Sequence, residues 1–243
     1  VTVLSQQVRA LNLAWALVED RELSCVNSAG QRPKVAIVGA GFAGLTFAAA
    51  LIEKGANVEI TIFEERDTLL PLQQGSDSRW LHPRIYNWPG ESSESSAAML
   101  PVLNWTAARA SDVAVQILGE WKRIVSNAKN VFLFCNARHL QIDEGRKASS
   151  RLCIEWVGEE RLPTDAGDQQ MKAVGRSDDF DLVVLAIGFG LERDGAQSYW
   201  RNELLGQPNL YQPRKTYLVS GQGDGAIIDL LRLRISQYRQ DRI

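Results

Sequence analysis

Taken as a bare polymer, the chain should fold as an α/β domain with a parallel central sheet and an antiparallel β-meander. Three observations point there. Val35 to Val38 is a short apolar run that leads into Gly39-Ala40-Gly41-Phe42-Ala43-Gly44, a helix-compatible stretch from Leu45 to Lys54, and a strand-like run from Asn57 to Glu64. Strand, glycine turn, helix and strand within about 31 residues is the span of a βαβ unit. Second, Asp181 to Gly188 contains Leu-Val-Val-Leu-Ala-Ile, the composition of a strand buried on both faces of a parallel sheet. Third, Val131–Cys135, His139–Ile142 and Leu152–Val157 are β-like runs separated by turns or polar residues, as in a meander.

The remaining elements follow in chain order. Leu4, Val8, Leu11, Trp15 and Val18 recur at spacings of four and three, which predicts a helix over Val3–Glu19 whose apolar face docks on the body of the protein or on a partner. Residues 24–33 carry Ser24, Asn27, Ser28, Gly30 and Pro33 and read as a linker. Gly55 is a suitable residue to end the helix after the glycine turn. From Leu70 to Ala97 glycine, proline and serine break every period, so a long loop or lid is expected, anchored by Trp80, Leu81, Ile85, Tyr86 and Trp88. Thr106 to Val125 returns to helical spacing, with Val113, Ile117, Trp121 and Ile124 on one side. Residues 158–179 read as a polar loop, Thr216–Ser220 as a strand, and Ala226–Tyr238 as a helix. Trp105, Trp121 and Trp156 sit in periodic segments and are expected in the core.

Composition removes several function classes. With 27 basic and 29 acidic residues the net charge is −2, too weak a field to hold a polyanion, so nucleic acid is not an expected partner. Three cysteines with no Cys-x-x-Cys pair, and two histidines, leave neither a disulfide framework, a thiol redox pair nor a metal site. No apolar stretch reaches the ~20 residues of a membrane-spanning helix, and polar residues interrupt the first apolar run, so neither membrane nor secretion is expected and a cytoplasmic setting is.

The glycine turn carries the chemistry. Gly39 permits a tight exit from the strand, Gly41 lets a pyrophosphate approach bare backbone, and Gly44 lets helix and strand pack closely. The helix amino terminus presents N–H groups and partial positive charge to that anion. Glu64, about twenty residues on, is placed to accept hydrogen bonds from adenosine ribose hydroxyls and to repel a 2′-phosphate, which argues against NADP. Arg66 complicates that argument but lies past the strand end. NAD and FAD share this unit, so it leaves both open. In Arg79-Trp-Leu-His-Pro-Arg-Ile-Tyr-Asn-Trp-Pro89, His82 has the chemistry of a general acid or base, and Arg79 and Arg84 could face an anionic substrate. The bland alternative is a loop pinned by buried aromatics.

Three segments resemble the FAD-containing branch of the two-dinucleotide-binding-domain flavoproteins. They are Val35-Ala-Ile-Val-Gly-Ala-Gly-Phe-Ala-Gly44 through Phe63-Glu64-Glu65-Arg66, then Phe180-Asp-Leu-Val-Val-Leu-Ala-Ile-Gly188, and Thr216-Tyr-Leu-Val-Ser-Gly-Gln-Gly223-Asp224. The resemblance implies a Rossmann-like FAD/NAD(P)-binding domain over 34–243, preceded by a helix and linker at 1–33 and holding an irregular loop or lid region at 68–104. It implies FAD as cofactor, with NAD in its place or as electron donor. The implied binding residues are Gly39 to Gly44, Glu64, Glu65, Arg66, Gly188, Gly223 and Asp224, with Asp224 on the ribityl chain. Flavin-dependent oxidation or reduction of a small molecule is the implied activity, and a non-catalytic nucleotide-binding module the alternative. Ile187 stands where the family has threonine, and the 35 residues from Gly188 to Gly223 leave no room for an inserted NAD(P)H domain. The family's substrate domain has little sequence to form from, so another domain, a partner subunit or a second copy is expected to complete the site.

Overall fold

The computed structural model describes residues 2–20, 23, 32–87, 89–144, 152–164, 173–188, 199–202, 211, 213, 215–221, 224–235 and 238–239. It divides into two compact units. The first comprises Val1–Pro71, Met99–Trp105 and Val115–Gly190, and the second Leu72–Ala98, Thr106–Ala114 and Leu191–Ile243.

The first unit is built on one six-stranded sheet. Its strands are β1 (Lys34–Val38), β2 (Glu59–Phe63), β5 (Val131–Glu144), β6 (Leu152–Arg161), β7 (Ala173–Phe180) and β8 (Leu182–Leu185), in the spatial order β7-β6-β5-β2-β1-β8. β1 pairs in parallel with β2 and β8, and β2 in parallel with β5. β5, β6 and β7 form an antiparallel meander, as expected of the fold but from partly different segments. The sheet curls, and Lys34 Nζ at the start of β1 lies 2.8 Å from Asp178 of β7 and 3.5 Å from Glu59 of β2. Ala36, Phe63, Phe134, Ala137, Ile154, Trp156 and Phe180 close into one buried cluster inside that curl. Phe63 stacks on Phe134 at 5.7 Å between ring centroids and meets Trp156 edge-on at 4.8 Å. Such pairs add about 1 kcal/mol each beyond the area they bury.

Two of the expected runs, Val131–Cys135 and His139–Ile142, are one strand. β5 continues through both because Asn136 (φ +50°) and His139 (φ +56°) absorb the register shifts against β6 instead of turning the chain. Residues 158–179 do not form one polar loop: β6 extends to Arg161, and β7 takes up the last seven positions and ends at Phe180. The polar sequence of β7 suits an edge strand, which needs charge to stay unpaired with other chains. β8 corrects the opposite way. It is shorter than Asp181–Gly188 and forms the other edge of the sheet, half-exposed, with Leu185 61% exposed rather than buried on both faces. Thr216–Ser220 forms no strand: Leu218 is 93% exposed, and β-branched composition stabilises a strand only where a neighbour pairs with it.

Helix α1 spans Val3–Glu19 as its spacing predicts, capped by the Thr2 hydroxyl on the Ser5 N–H at 3.1 Å. Its buried face is not the Leu4–Val8–Leu11–Trp15–Val18 stripe. Gln7, Ala10 and Ala14 turn inward against α2 (Phe42–Glu53), while Trp15 is 56% exposed with the Lys54 ammonium 3.1 Å from its ring centre. The reason is the partner surface. α2 is rich in alanine and buried along nearly its whole length, so small residues let the two helices approach. Gln7 is buried with its amide satisfied: Nε2 donates to Thr46 Oγ1 (3.1 Å) and Leu103 O (3.2 Å), and Oε1 accepts the Trp105 indole N–H (2.7 Å).

In the second unit β3 (Trp80–Leu81) pairs antiparallel with β4 (Ala108–Arg109), which leads into α3 (Ala110–Val125), a helix that belongs to the first unit from Val115 on. α3 therefore begins four residues later than Thr106, and Val113, Ile117, Trp121 and Ile124 are buried as expected. Trp105 and Trp156 are also buried. Arg79 is buried and joins segments distant in sequence: its Nε donates to Tyr199 O at 2.6 Å, and its guanidinium pairs with Asp229 and lies 4.1 Å from the centre of the Tyr199 ring. The linker positions 24–31 and Trp88 lie outside the described residues. Among the described residues no helix is long and apolar enough to cross a membrane.

Two outcomes are expected. Gln7→Met keeps the volume but strands the Trp105 indole and Leu103 carbonyl, so it should lower stability by about 2–4 kcal/mol, read from urea unfolding. Cys135, whose burial pushes its thiol up to about 12, should resist alkylation by iodoacetamide near about pH 8 and react only after denaturation, as read by peptide mass mapping.

Candidate functional site

β1 reaches the carboxyl end of the sheet between two parallel neighbours, β2 on one side and β8 on the other. The chain visits these neighbours in opposite directions from β1, and open parallel sheets bind ligands at such a reversal. The turn after β1 shows why three glycines stand there. Gly39 has φ +110°, donates its N–H to Phe63 O at 2.7 Å, and would place a Cβ 2.4 Å from Ala186 O. Gly44 would place a Cβ 2.0 Å from Gly39 O and 3.3 Å from Ile37 Cγ2. Both positions are closed to any side chain by main chain. Gly41 is the opposite case: a Cβ there would meet nothing within 4 Å.

Gly41 is also the N-cap of α2, and no side chain caps that helix end. The first N–H groups of a helix have no partner within it, so an open, uncapped terminus can receive an anion. Phe42 and Ala40 are buried beside the turn, and Ala43 is half-buried. Gly188, exposed at φ +66°, lies just past β8 in the same unit, following the Ala186 N–H that bonds to Val38 O at 2.8 Å.

Glu64 begins the chain beyond β2 and is 7% exposed. Its Oε2 accepts the Ala40 N–H at 2.8 Å and its Oε1 the Arg66 N–H at 3.0 Å. Burial raises its carboxyl above the ordinary glutamate value, and the two backbone donors oppose that rise. Glu65 is exposed and Arg66 half-buried. Leu70 was not legible as part of this site. It is fully buried at φ +47° and donates its N–H to Ala40 O at 3.0 Å, and nothing in a leucine's identity signals that geometry. Ala186, whose carbonyl excludes a side chain at Gly39, was equally silent.

The other sequence candidates, Arg79, His82, Arg84 and Asp224, belong to the second unit. His82 is 5% exposed, and its Nδ1 accepts the backbone N–H of Arg84 (3.2 Å) and Ile85 (2.9 Å), where the chain enters a short 3₁₀ turn at Ile85–Asn87. Such an arrangement anchors a loop. Arg79 is committed to Tyr199 and Asp229 within the second unit, and an Arg84 nitrogen donates to Ala98 O at 3.4 Å. Asp224 is the first residue of α4 (Asp224–Arg234) in the second unit, so the helix starts two residues earlier than expected. Gly223 lies outside the described residues.

Residues 37–70 match the family described as NAD(P)-binding Rossmann-like domain. No curated protein matches the chain. Among solved structures, L-lysine 6-monooxygenase from Pseudomonas syringae is similar over 72% of this chain and 37% of its own, at 12% identity and a TM-score of 0.33. THI4 from Thermovibrio ammonificans is similar over 69% of this chain and 61% of its own, at 19% identity and a TM-score of 0.31. The chain thus spans less than two thirds of the length of either. The matched residues cover the end of β1 and all of α2 and β2, and that strand–helix–strand unit has a Rossmann-like arrangement.

The glycines should separate by substitution. Gly44→Ala forces backbone apart and should cost about 3 kcal/mol, whereas Gly41→Ala should leave the melting temperature within about a degree of the parent, both read by thermal unfolding.

Proposed function

We propose that the chain binds a dinucleotide across the Gly39–Gly44 turn, FAD in preference to NAD, as the cofactor-binding part of a flavin-dependent oxidoreductase acting on a small molecule. The observation that supports this best is the open space at Gly41 directly before an α-helix that no side chain caps. There a pyrophosphate can reach main-chain N–H groups that carry the helix's partial positive charge. Each oxygen of the Glu64 carboxylate has a lone pair beyond the backbone donor it already holds, enough to accept ribose hydroxyls. A 2′-phosphate would meet that negative charge, which disfavours NADP.

A bound flavin supplies hydride or electron-pair transfer, and the protein supplies binding and orientation. The preference for FAD rests on the resemblance of the segments ending at Gly188 and Asp224. It assigns Gly188, Gly223 and Asp224 to the flavin side, and Glu65 and Arg66 to the margin of the ribose site. Little of residues 34–243 is left over for a substrate domain, so we place the substrate at a contact with another domain, a partner subunit or a second copy, formed through residues 68–104. NAD as electron donor belongs to the same proposal.

One observation favours a second reading, a non-catalytic FAD- or NAD-binding module. His82, the one general acid–base candidate of the sequence, is buried with Nδ1 engaged by two backbone donors.

The test is direct. The purified chain should be yellow, its visible absorbance should bleach on reduction, and Gly41→Val should lose the cofactor while keeping its circular dichroism spectrum. Full cofactor retention by that variant would overturn the site. A colourless protein that binds NAD would support the module instead.

A further inference from the structure

We propose that Glu64 is a positioning residue that sets the glycine turn before any ligand arrives, in addition to the ribose contact assigned to it above, and the consequence for affinity rests on that dinucleotide reading. Both carboxylate oxygens are engaged within the chain: Oε2 holds the Ala40 N–H and Oε1 holds the Arg66 N–H. Ala40 is held on its other side too, because its carbonyl accepts the Leu70 N–H at 3.0 Å. Segment 64–70 therefore grips both peptide groups of the one residue between Gly39 and Gly41. Leu70 is the far anchor, fully buried at a φ of +47° that a non-glycine residue adopts only when its surroundings fix it. β5 secures the same segment from the other side, with Ala137 N–H on Glu64 O at 2.9 Å and Asn136 N–H on Arg66 O at 2.8 Å. The shifted register of β5 at these residues supplies those donors.

This arrangement has a physical consequence. A backbone N–H held by a carboxylate is fixed more firmly than one held by a neutral acceptor. The peptide next to Gly41 is thereby fixed with the cradle open, and a ligand does not have to order it. A glutamine at position 64 keeps the size of the side chain but turns one acceptor into a donor, so one of the two backbone N–H groups must lose its partner.

Amide hydrogen exchange on the full-length, ligand-free chain, paired with titration of ADP and 2′,3′-dideoxy-ADP, tests the idea. In the parent protein the Ala40 amide should exchange at least about a hundredfold more slowly than an open loop amide. In Glu64→Gln whichever of the Ala40 and Arg66 amides loses its acceptor should exchange at least about tenfold faster, while the β1 amides of Val35 to Ile37 keep their protection. The variant should also weaken dideoxy-ADP about tenfold, although that nucleotide has no ribose hydroxyls for residue 64 to bind. An unprotected Ala40 amide in the parent would overturn the proposal without recourse to any variant. So would a Glu64→Gln protein that loses only the preference for ADP over its dideoxy form. A parent that binds neither nucleotide would instead overturn the dinucleotide reading, and the exchange of Ala40 would still decide whether Glu64 holds the turn.

Discussion

The organising constraint is a close approach of main chain to main chain at Gly39. Its N–H is bonded to Phe63 O of β2, the Ala186 carbonyl beyond β8 occupies the direction of its missing Cβ, and Gly44 of α2 rests against its own carbonyl. Four segments meet where no side chain fits. Strand order, helix start and the position of the open cradle all follow from that junction, because moving any one segment outward would leave buried backbone groups without partners. Gly41 is free of the crowding precisely because its neighbours on both sides carry it. The turn thus separates two roles that a repeated glycine motif can hide: two positions close the fold and one opens the site.

Behind the junction lies the aromatic cluster. Phe63, which accepts the Gly39 N–H through its carbonyl, places its ring among Phe134, Trp156 and Phe180. The same residue therefore ties the turn to the curled sheet. The meander contributes to the site only indirectly, by packing under β2 and by offering the Asn136 and Ala137 N–H groups to segment 64–70. Glu64 stands where these two supports converge, a buried acid whose two carboxylate oxygens each hold a backbone N–H.

The motif at 39–44 and the acid at 64 were legible because their spacing is short and their chemistry local: a bare backbone, a helix start, the end of the next strand. Other features depended on partners that the local sequence does not show. His82 has the right side chain for proton transfer, and its Nδ1 accepts two backbone N–H groups of its own loop. The apolar stripe of α1 was real, but α2 offered an alanine-rich surface with Thr46 at hand, and the Gln7 side satisfied it better. Thr216–Ser220 has the composition of a strand, and composition cannot supply a neighbouring ladder.

Residue order alone settled the extent of α1, the βαβ unit and the distinct duties open to each glycine, since these depend on contacts a few residues long and on the absence of Cβ atoms. Only the assembled chain decided which face of α1 is buried, that β8 lies at an edge, that two runs fuse into β5, and that Leu70 and Glu64 together grip Ala40. Each of those outcomes turns on a hydrogen-bond or packing partner distant in sequence, and no local pattern can announce a partner it does not contain.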